Sequence, residues 1–122
     1  MIQPISIVRG TTQLVNIDLV DAGGHPYSLG SDEVLRFGVK RCPEDENYLL
    51  VKELTADHQS ESGTYVLTLE PADTARMKFG RYYYDVGMQS GEQYYNVIEC
   101  SNFHVRYNIT AHVRSSISEE TE

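Results

Sequence analysis

The sequence predicts an all-β fold, a sandwich of seven to eight antiparallel strands with one short helical turn. Two observations carry this prediction: short runs in which apolar and polar residues alternate, and glycine- or proline-bearing turns between those runs. Alternation with a period of two indicates a strand with one buried face. No long stretch shows the helical period of 3.6 residues, so the chain is expected to pack sheet against sheet.

The first half of the chain contains the first strands. Apolar residues alternate at 5–7 and 14–20, at 34–41 and at 48–54, with a glycine- and proline-bearing loop at 21–27 and an acidic turn at 42–47 between them. Proline donates no ladder hydrogen bond and glycine weakens a strand, so neither connection continues a central strand. The residues predicted to face the core are Val15, Ile17, Leu19, Leu35, Phe37 and Val39.

The stretch Leu67–Val97, together with the strand residues just before it, is the most informative part of the chain. After a polar connection at 55–63, Tyr65, Leu67 and Leu69 alternate with Val66, Thr68 and Glu70. Pro71 is predicted to open a helical turn and Gly80 to end it, because proline presets the helical φ and glycine tolerates a left-handed exit. Tyrosine then begins the next strand, as in an immunoglobulin-like tyrosine corner. The predicted sandwich is therefore immunoglobulin-like.

The last strands follow from a tight turn at Ser90-Gly91-Glu92. The pattern predicts one strand at 92–101 and another at 103–110, and the core set of the second half is Leu67, Leu69, Tyr82, Tyr84, Val86, Phe103, Val105, Tyr107 and Ile109. Residues 1–113 are expected to form one sandwich domain. Residues 114–122 have almost no apolar content and are expected to be a disordered acidic tail or a linker.

Charge and composition exclude several classes of function. The net charge is −8 over 122 residues, and the ten lysines and arginines are scattered along the sequence, which disfavours nucleic-acid binding. No run approaches the roughly 20 apolar residues of a membrane span, and the first residues lack the pattern of a signal peptide. We therefore expect no membrane partner and a reducing compartment in which Cys42 and Cys100 remain free thiols.

No arrangement of residues predicts catalysis or metal binding. The four histidines lack the close spacing of zinc ligands, and the acidic run 44–46 lacks the spaced carboxylates of a calcium loop. Neither cysteine lies in a glycine-framed nucleophile turn. Asp73 is expected to accept backbone donors in the helical turn. We predict no enzymatic activity, no catalytic residue, no metal and no cofactor.

The nine tyrosines are the remaining signal. If Tyr82 and Tyr84 point into the core, Tyr83 faces outward, and one of Tyr94 and Tyr95 does too. Tyrosine is favoured at interfaces because it offers a large contact area with few rotors. We predict Tyr83 and Tyr95 as interface anchors, with simple coverage of the sheet as the alternative.

Several segments resemble the immunoglobulin-like N-terminal domain of the phage upper baseplate protein family. They are RGTT at 9–12, LRFGVK at 35–40, TYVLTLEPADTA at 64–75, GRYYYDV at 80–86 and FHVRY at 103–107. The resemblance implies a non-enzymatic phage or prophage virion component of the tail, baseplate or capsid surface. It also implies contacts with other virion proteins, a homo-oligomer, and production in the bacterial host cytoplasm before incorporation into the virion. A carbohydrate-binding module that uses exposed tyrosines is the alternative function.

Overall fold

Eight strands form two sheets that pack face to face in a computed structural model, which describes residues 4–107. The strands are β1 (Ile5–Val8), β2 (Gln13–Asp18), β3 (Glu33–Lys40), β4 (Leu50–Leu54), β5 (Gln59–Glu61), β6 (Thr64–Leu69), β7 (Gly80–Ser90) and β8 (Gln93–Arg106). The first sheet has the order β1-β8-β7-β3-β4, and the second has the order β2-β6-β5. The predicted all-β sandwich is confirmed.

One strand pair departs from the antiparallel prediction. β1 pairs with β8 in parallel, from Ile5 opposite Phe103 to Val8 opposite Arg106, whereas every other pair between these strands is antiparallel. The chain then crosses to the second sheet at Gly10, whose φ of 74° is accessible to glycine at little cost. The Gly10 amide donates to Thr74 Oγ1 at 2.9 Å. This bond fixes the crossing against the segment between β6 and β7.

The core lies between the two sheets and follows the predicted alternation. Phe37, Tyr84 and Phe103 form its aromatic centre, with ring centroids 5.2 to 6.3 Å apart. The buried residues that the sequence placed there are Ile17, Leu19, Leu35, Phe37, Val39, Leu67, Leu69, Tyr82, Tyr84, Val86, Phe103 and Val105. The faces assigned to β2, β3, β6 and β7 are therefore confirmed.

The segment between β6 and β7 crosses the end of the sandwich. Pro71 opens a short helix, α1 (Pro71–Thr74), and Asp73 Oδ2 accepts the Glu70 amide at 2.7 Å, as predicted for this carboxylate. Asp73 also pairs with Lys52 at 2.8 Å, which ties the crossover to β4. Gly80 does not end the helix, which stops at Thr74. Gly80 instead begins β7, where its φ is 135°.

The tyrosine corner has the hydrogen bond that defines this feature. The Tyr82 hydroxyl donates to the Lys78 carbonyl, four residues upstream, at 2.7 Å. The Arg41 guanidinium lies 4.6 Å from the centroid of the same ring. These two contacts hold the Tyr82 side chain in place. The hydrogen bond also fixes the segment just before β7 against it.

Three further details of the sequence prediction are wrong, and some other predictions concern residues outside 4–107. The strands expected at 92–101 and 103–110 form the single strand β8, because two bulges absorb its irregular pattern without ending its pairing with β7. The polar connection 55–63 contains a 3-10 turn, Ala56–His58, and the short strand β5. Tyr107 follows the last paired residue and is 74% exposed, not inward. Ile109, the domain boundary at 113 and the tail 114–122 lie outside the described residues.

Candidate functional site

Three tyrosines share the side of the first sheet that faces away from the core. Tyr83 lies between the buried Tyr82 and Tyr84 on β7, so the alternation of the strand directs it outward. Tyr94 lies opposite Gln89, whose side chain is on the same outer side. Tyr48 comes from the turn before β4 and lies over β3. We call Tyr48, Tyr83 and Tyr94 the outer aromatic face.

Two glycines form the floor beneath two of these rings. A Cβ at Gly38 would collide with the Tyr48 ring, and a Cβ at Gly87 would collide with the Tyr94 ring. Each ring therefore packs on the backbone of a glycine, which has no side chain of its own, and this packing restricts the movement of the ring. Tyr48 remains 48% exposed and Tyr94 52% exposed. The result is a pair of preordered aromatic surfaces open to solvent.

A carboxylate and an ammonium group lie among these rings. Burial raises the pKa of Asp85, and the charge of Lys40 opposes that shift. Burial, followed by the charge of Asp85, raises the pKa of the Tyr94 hydroxyl. Lys40 Nζ lies 4.7 Å from the centroid of the Tyr48 ring. A shallow cavity of about 120 Å³ is lined by Lys40, Tyr48, Tyr83 and Asp85. Such a surface suits a flat apolar group that also offers a hydrogen-bond donor.

The structure separates the two tyrosines predicted as interface anchors. Tyr83 belongs to the outer aromatic face, whereas Tyr95 lies opposite Met88, whose side chain packs against the core. Tyr95 is 51% exposed and lines a cleft between the sheets at the end where β7 turns into β8. Tyr94 therefore lies on the same outer side of the sheet as Tyr83, the side that we predicted for Tyr95. The two-residue turn Gly91-Glu92 fixes this register and is the sequence signal that could have found it.

Sequence reasoning missed a buried carboxylate at the same end of the sandwich, which we call the hairpin end. Glu33 begins β3 and is 8% exposed. It accepts hydrogen bonds from the Gly30 amide at 2.7 Å and from the Tyr27 and Ser90 hydroxyls at 2.8 Å. These donors hold the pKa of Glu33 below its usual value, with the Gly30 amide as the largest cause. Glu33 thus joins the loop before β3 to the end of β7.

Both cysteines are free thiols, as predicted. Cys42 is partly buried, and Cys100 is exposed beside the outer aromatic face. Within residues 4–107 no group of three or more histidine, cysteine, aspartate or glutamate side chains is placed to hold a metal ion. The same residues include no helix that is long and apolar enough to cross a membrane.

The chain matches no protein-family profile, no curated protein and no solved structure.

We expect the folded protein to be indifferent to metal chelators. Treatment with EDTA should leave the midpoint of thermal unfolding unchanged, because a metal that binds only the folded state would raise that midpoint. Circular dichroism with and without chelator measures this, and calcium or zinc added back afterwards serves as the control. A large fall in the midpoint on chelation, reversed by one metal, would reveal a site, with the acidic run 44–46 as the first place to look.

Proposed function

We propose that this protein is a non-enzymatic component of a phage or prophage virion that acts through protein–protein contacts. It would belong to the tail, the baseplate or the capsid surface, and the outer aromatic face would be its docking surface. It would be made in the bacterial host cytoplasm and then enter the virion. The virion assignment is supported by the sequence resemblance, most of all by the segments 64–75 and 80–86.

The preordered tyrosines of the outer aromatic face are the observation that carries the docking part of the proposal. Interface centres are enriched in tyrosine, and a few such side chains contribute most of the binding energy. Tyr48 and Tyr94 are each about half exposed although glycine floors hold their rings in place. Little side-chain entropy would therefore be lost when a partner covers them.

Purified particles test the virion assignment directly. Phage or prophage particles from the bacterium that encodes this chain should contain the protein in a fixed ratio to the other structural proteins, as measured by mass spectrometry. Particles that are complete and infectious without the protein would contradict the proposal.

Serine substitutions test the docking surface. Replacing Tyr83 and Tyr94 together with serine should weaken incorporation or binding to the partner at least about tenfold, since truncation of a central tyrosine typically costs more than 1 kcal/mol. Circular dichroism should show an unchanged fold, because both side chains lie outside the core. Pull-down with the virion protein that lies next to it in the particle measures the effect.

Tyr95→Ser is a matched control for this experiment. Tyr95 is a sequence neighbour of Tyr94 and has nearly the same exposure, 51% against 52%, but it lies at the cleft between the sheets. The control should keep docking through the outer aromatic face. Equal losses for Tyr94→Ser and Tyr95→Ser would remove this face from the proposal. Tyr94→Ser alone keeps the test valid if the double variant does not fold.

A carbohydrate-binding module is the second candidate, and one specific observation favours it. The Tyr48 and Tyr94 side chains lie over Gly38 and Gly87, close to Asp85 and Lys40, and exposed aromatic rings next to polar groups also suit sugar rings. A glycan array followed by affinity electrophoresis would identify a ligand. Binding that disappears in Tyr94→Ser, together with absence from particles, would favour this function over the first.

A further inference from the structure

The charged side chains are distributed unevenly along the long axis of the sandwich. β7 runs from Gly80 at one end to Ser90 at the hairpin end, which spans about 30 Å at the usual rise per strand residue. We call the opposite end, where the crossover leads from α1 into β7, the corner end. The two ends carry charges of opposite sign.

The hairpin end is acidic. It is built by the connections 18–33 and 55–64 and by the β7–β8 turn with its flanks, 88–97, and none of these segments contains a lysine or arginine. The carboxylates at this end are Asp18, Asp21, Asp32, Glu33, Asp57, Glu61 and Glu92. Glu33 is the buried member, with its hydrogen bonds satisfied. The others are exposed and surround the end of the sandwich.

An apolar cleft opens in the middle of this acidic end. It has a volume of about 600 Å³ and is lined by side chains from β2, β7 and β8, from the loop after β2 and from Glu33 at the start of β3. Val20 is 59% exposed and Tyr95 is 51% exposed, and Met88 lies between the sheets beside them. Asp18 and Asp21 lie on its rim. The cleft therefore suits an apolar or aromatic group accompanied by positive charge.

The corner end is predominantly basic. Its basic side chains are Arg9, Arg41, Arg76, Lys78, Arg81 and Arg106, which come from the ends of β1, β3 and β8, from the crossover and from the start of β7. Among its carboxylates, Asp73 is paired with Lys52 and Glu70 precedes α1. The acidic run 44–46 lies at the far edge of this end, between β3 and β4. Among residues 4–107, the part nearest β1 and β8 thus contains no acidic residue.

An aromatic projection lies in that part of the corner end. Tyr107 is 74% exposed and stacks on Phe79 with ring centroids 3.8 Å apart. The Arg9 guanidinium lies 4.1 Å from the centroid of the Phe79 ring, and Arg106 directly precedes Tyr107. An exposed aromatic ring and positive charge thus occur together at the corner end. They complement the cleft at the hairpin end, which combines apolar surface with carboxylates.

We propose that the occupant of the cleft is a second copy of this chain, docked head to tail. The exposed Tyr107 ring of one protomer, backed by the partly buried Phe79, enters the apolar cleft of the next, and the basic side chains around Tyr107 meet the acidic rim. Such a contact is heterologous, so repetition builds a closed ring or an open filament. This inference goes beyond the proposed docking function, because it uses the two ends of the sandwich and not the outer aromatic face.

Charge complementarity favours a second copy over an unrelated partner. With a net charge of −8, two copies repel one another in most orientations, and the head-to-tail orientation is the one that brings opposite charges together. Exposed charges are screened over about 8 Å at physiological ionic strength. The association should therefore weaken steeply as salt is raised, whereas a purely apolar contact would not weaken.

Charge reversal at each end tests the proposal. Asp32→Lys with Glu92→Lys reverses two exposed charges that surround the cleft at the hairpin end, and Lys78→Glu with Arg106→Glu reverses two exposed charges at the corner end. All four side chains are exposed, so the fold should survive, and circular dichroism checks this. Sedimentation velocity at low salt should show association of the wild type and a loss of at least tenfold in affinity for each double variant.

A mixture of the two double variants gives the decisive result. The corner-end variant keeps a native hairpin end and the hairpin-end variant keeps a native corner end, so the 1:1 mixture should associate again. Glu44→Lys with Glu46→Lys is the matched control for the hairpin-end variant, because both replace two carboxylates with two lysines, and it should retain association. Tyr107→Ser should also weaken association, and Tyr83→Ser with Tyr94→Ser should not.

Three outcomes would overturn the proposal. They are a wild type that stays monomeric at low salt and high concentration, a double variant that associates as the wild type does, and a mixture that stays monomeric. Loss of association in the Tyr83 and Tyr94 double variant, with both charge variants unaffected, would assign self-association to the outer aromatic face instead.

Discussion

Replacing Phe37 with alanine is expected to lower the free energy of unfolding by about 3–5 kcal/mol. Phe37 is 1% exposed at the centre of β3, and its ring contacts those of Tyr84 and Phe103 at centroid distances of 5.2 and 6.1 Å. Truncation removes these contacts and leaves a cavity between the two sheets, which the paired strands on either side of β3 cannot easily close. Denaturant titration followed by circular dichroism measures the loss.

Leu14→Ala is the matched control for this core substitution. Leu14 also lies on a strand, but it is 63% exposed at the edge of the second sheet, and its truncation should change stability by less than about 0.5 kcal/mol. A loss below about 1 kcal/mol for Phe37→Ala would mean that the core can close around the missing ring.

Replacing Glu33 with glutamine is expected to lower the free energy of unfolding by about 2 kcal/mol at neutral pH. The carboxylate accepts bonds from the Gly30 amide and from the Tyr27 and Ser90 hydroxyls at 2.7 to 2.8 Å. A glutamine retains a single acceptor oxygen and has no charge, so it cannot satisfy the same donors. The loss should appear in urea titration at pH 7.

The pH dependence of this effect has a definite sign. The pKa of Glu33 is lowered in the folded state from its ordinary value of 4.5, so its bonds stabilise the fold above that value. The stabilisation is lost as the pH falls through the lower, folded-state pKa. The difference in free energy of unfolding between the wild type and Glu33→Gln should therefore narrow as the pH is lowered from 4.5 towards the folded-state value.

Glu92→Gln serves as the control for both parts of this prediction. Glu92 is an exposed carboxylate in the turn that follows Ser90, so its substitution should change stability little at any pH. A difference between the wild type and Glu33→Gln that stays constant from pH 7 to pH 3 would show that the Glu33 charge contributes nothing to the hydrogen-bond network.

The sequence predicted which strands exist and which of their faces are buried. The period of two in residues 34–41 and 64–69 placed Leu35, Phe37 and Leu67 in the core, because a strand buried on one face leaves that pattern directly in its sequence. Pro71 and the tyrosine at position 82 predicted the corner for a similarly local reason. These features depend on neighbouring residues in the chain.

The candidate sites could be predicted only in part. The alternation of β7 predicts that Tyr83 faces outward, but it does not predict which side chains lie near it. The Tyr48 ring, for example, comes from a turn and lies over Gly38 of β3. The choice of Tyr95 instead of Tyr94 was wrong on register, which the length of the hairpin turn decides. The Glu33 network joins residues 57 positions apart in the chain, and no local pattern indicates such a partner.

By itself the sequence determined the all-β class, the inward faces of most strands and the tyrosine corner. A strand that is buried on one face shows this directly, because its inward positions are apolar at every second residue. Only the tertiary structure decided that β1 pairs in parallel with β8, that Tyr94 and not Tyr95 shares the outer side of the sheet with Tyr83, and that opposite charges gather at opposite ends. The physical reason is that strand order and register bring together residues far apart in the chain. The ten basic residues look scattered along the sequence, yet six of them meet where β1, β3, β7 and β8 begin or end.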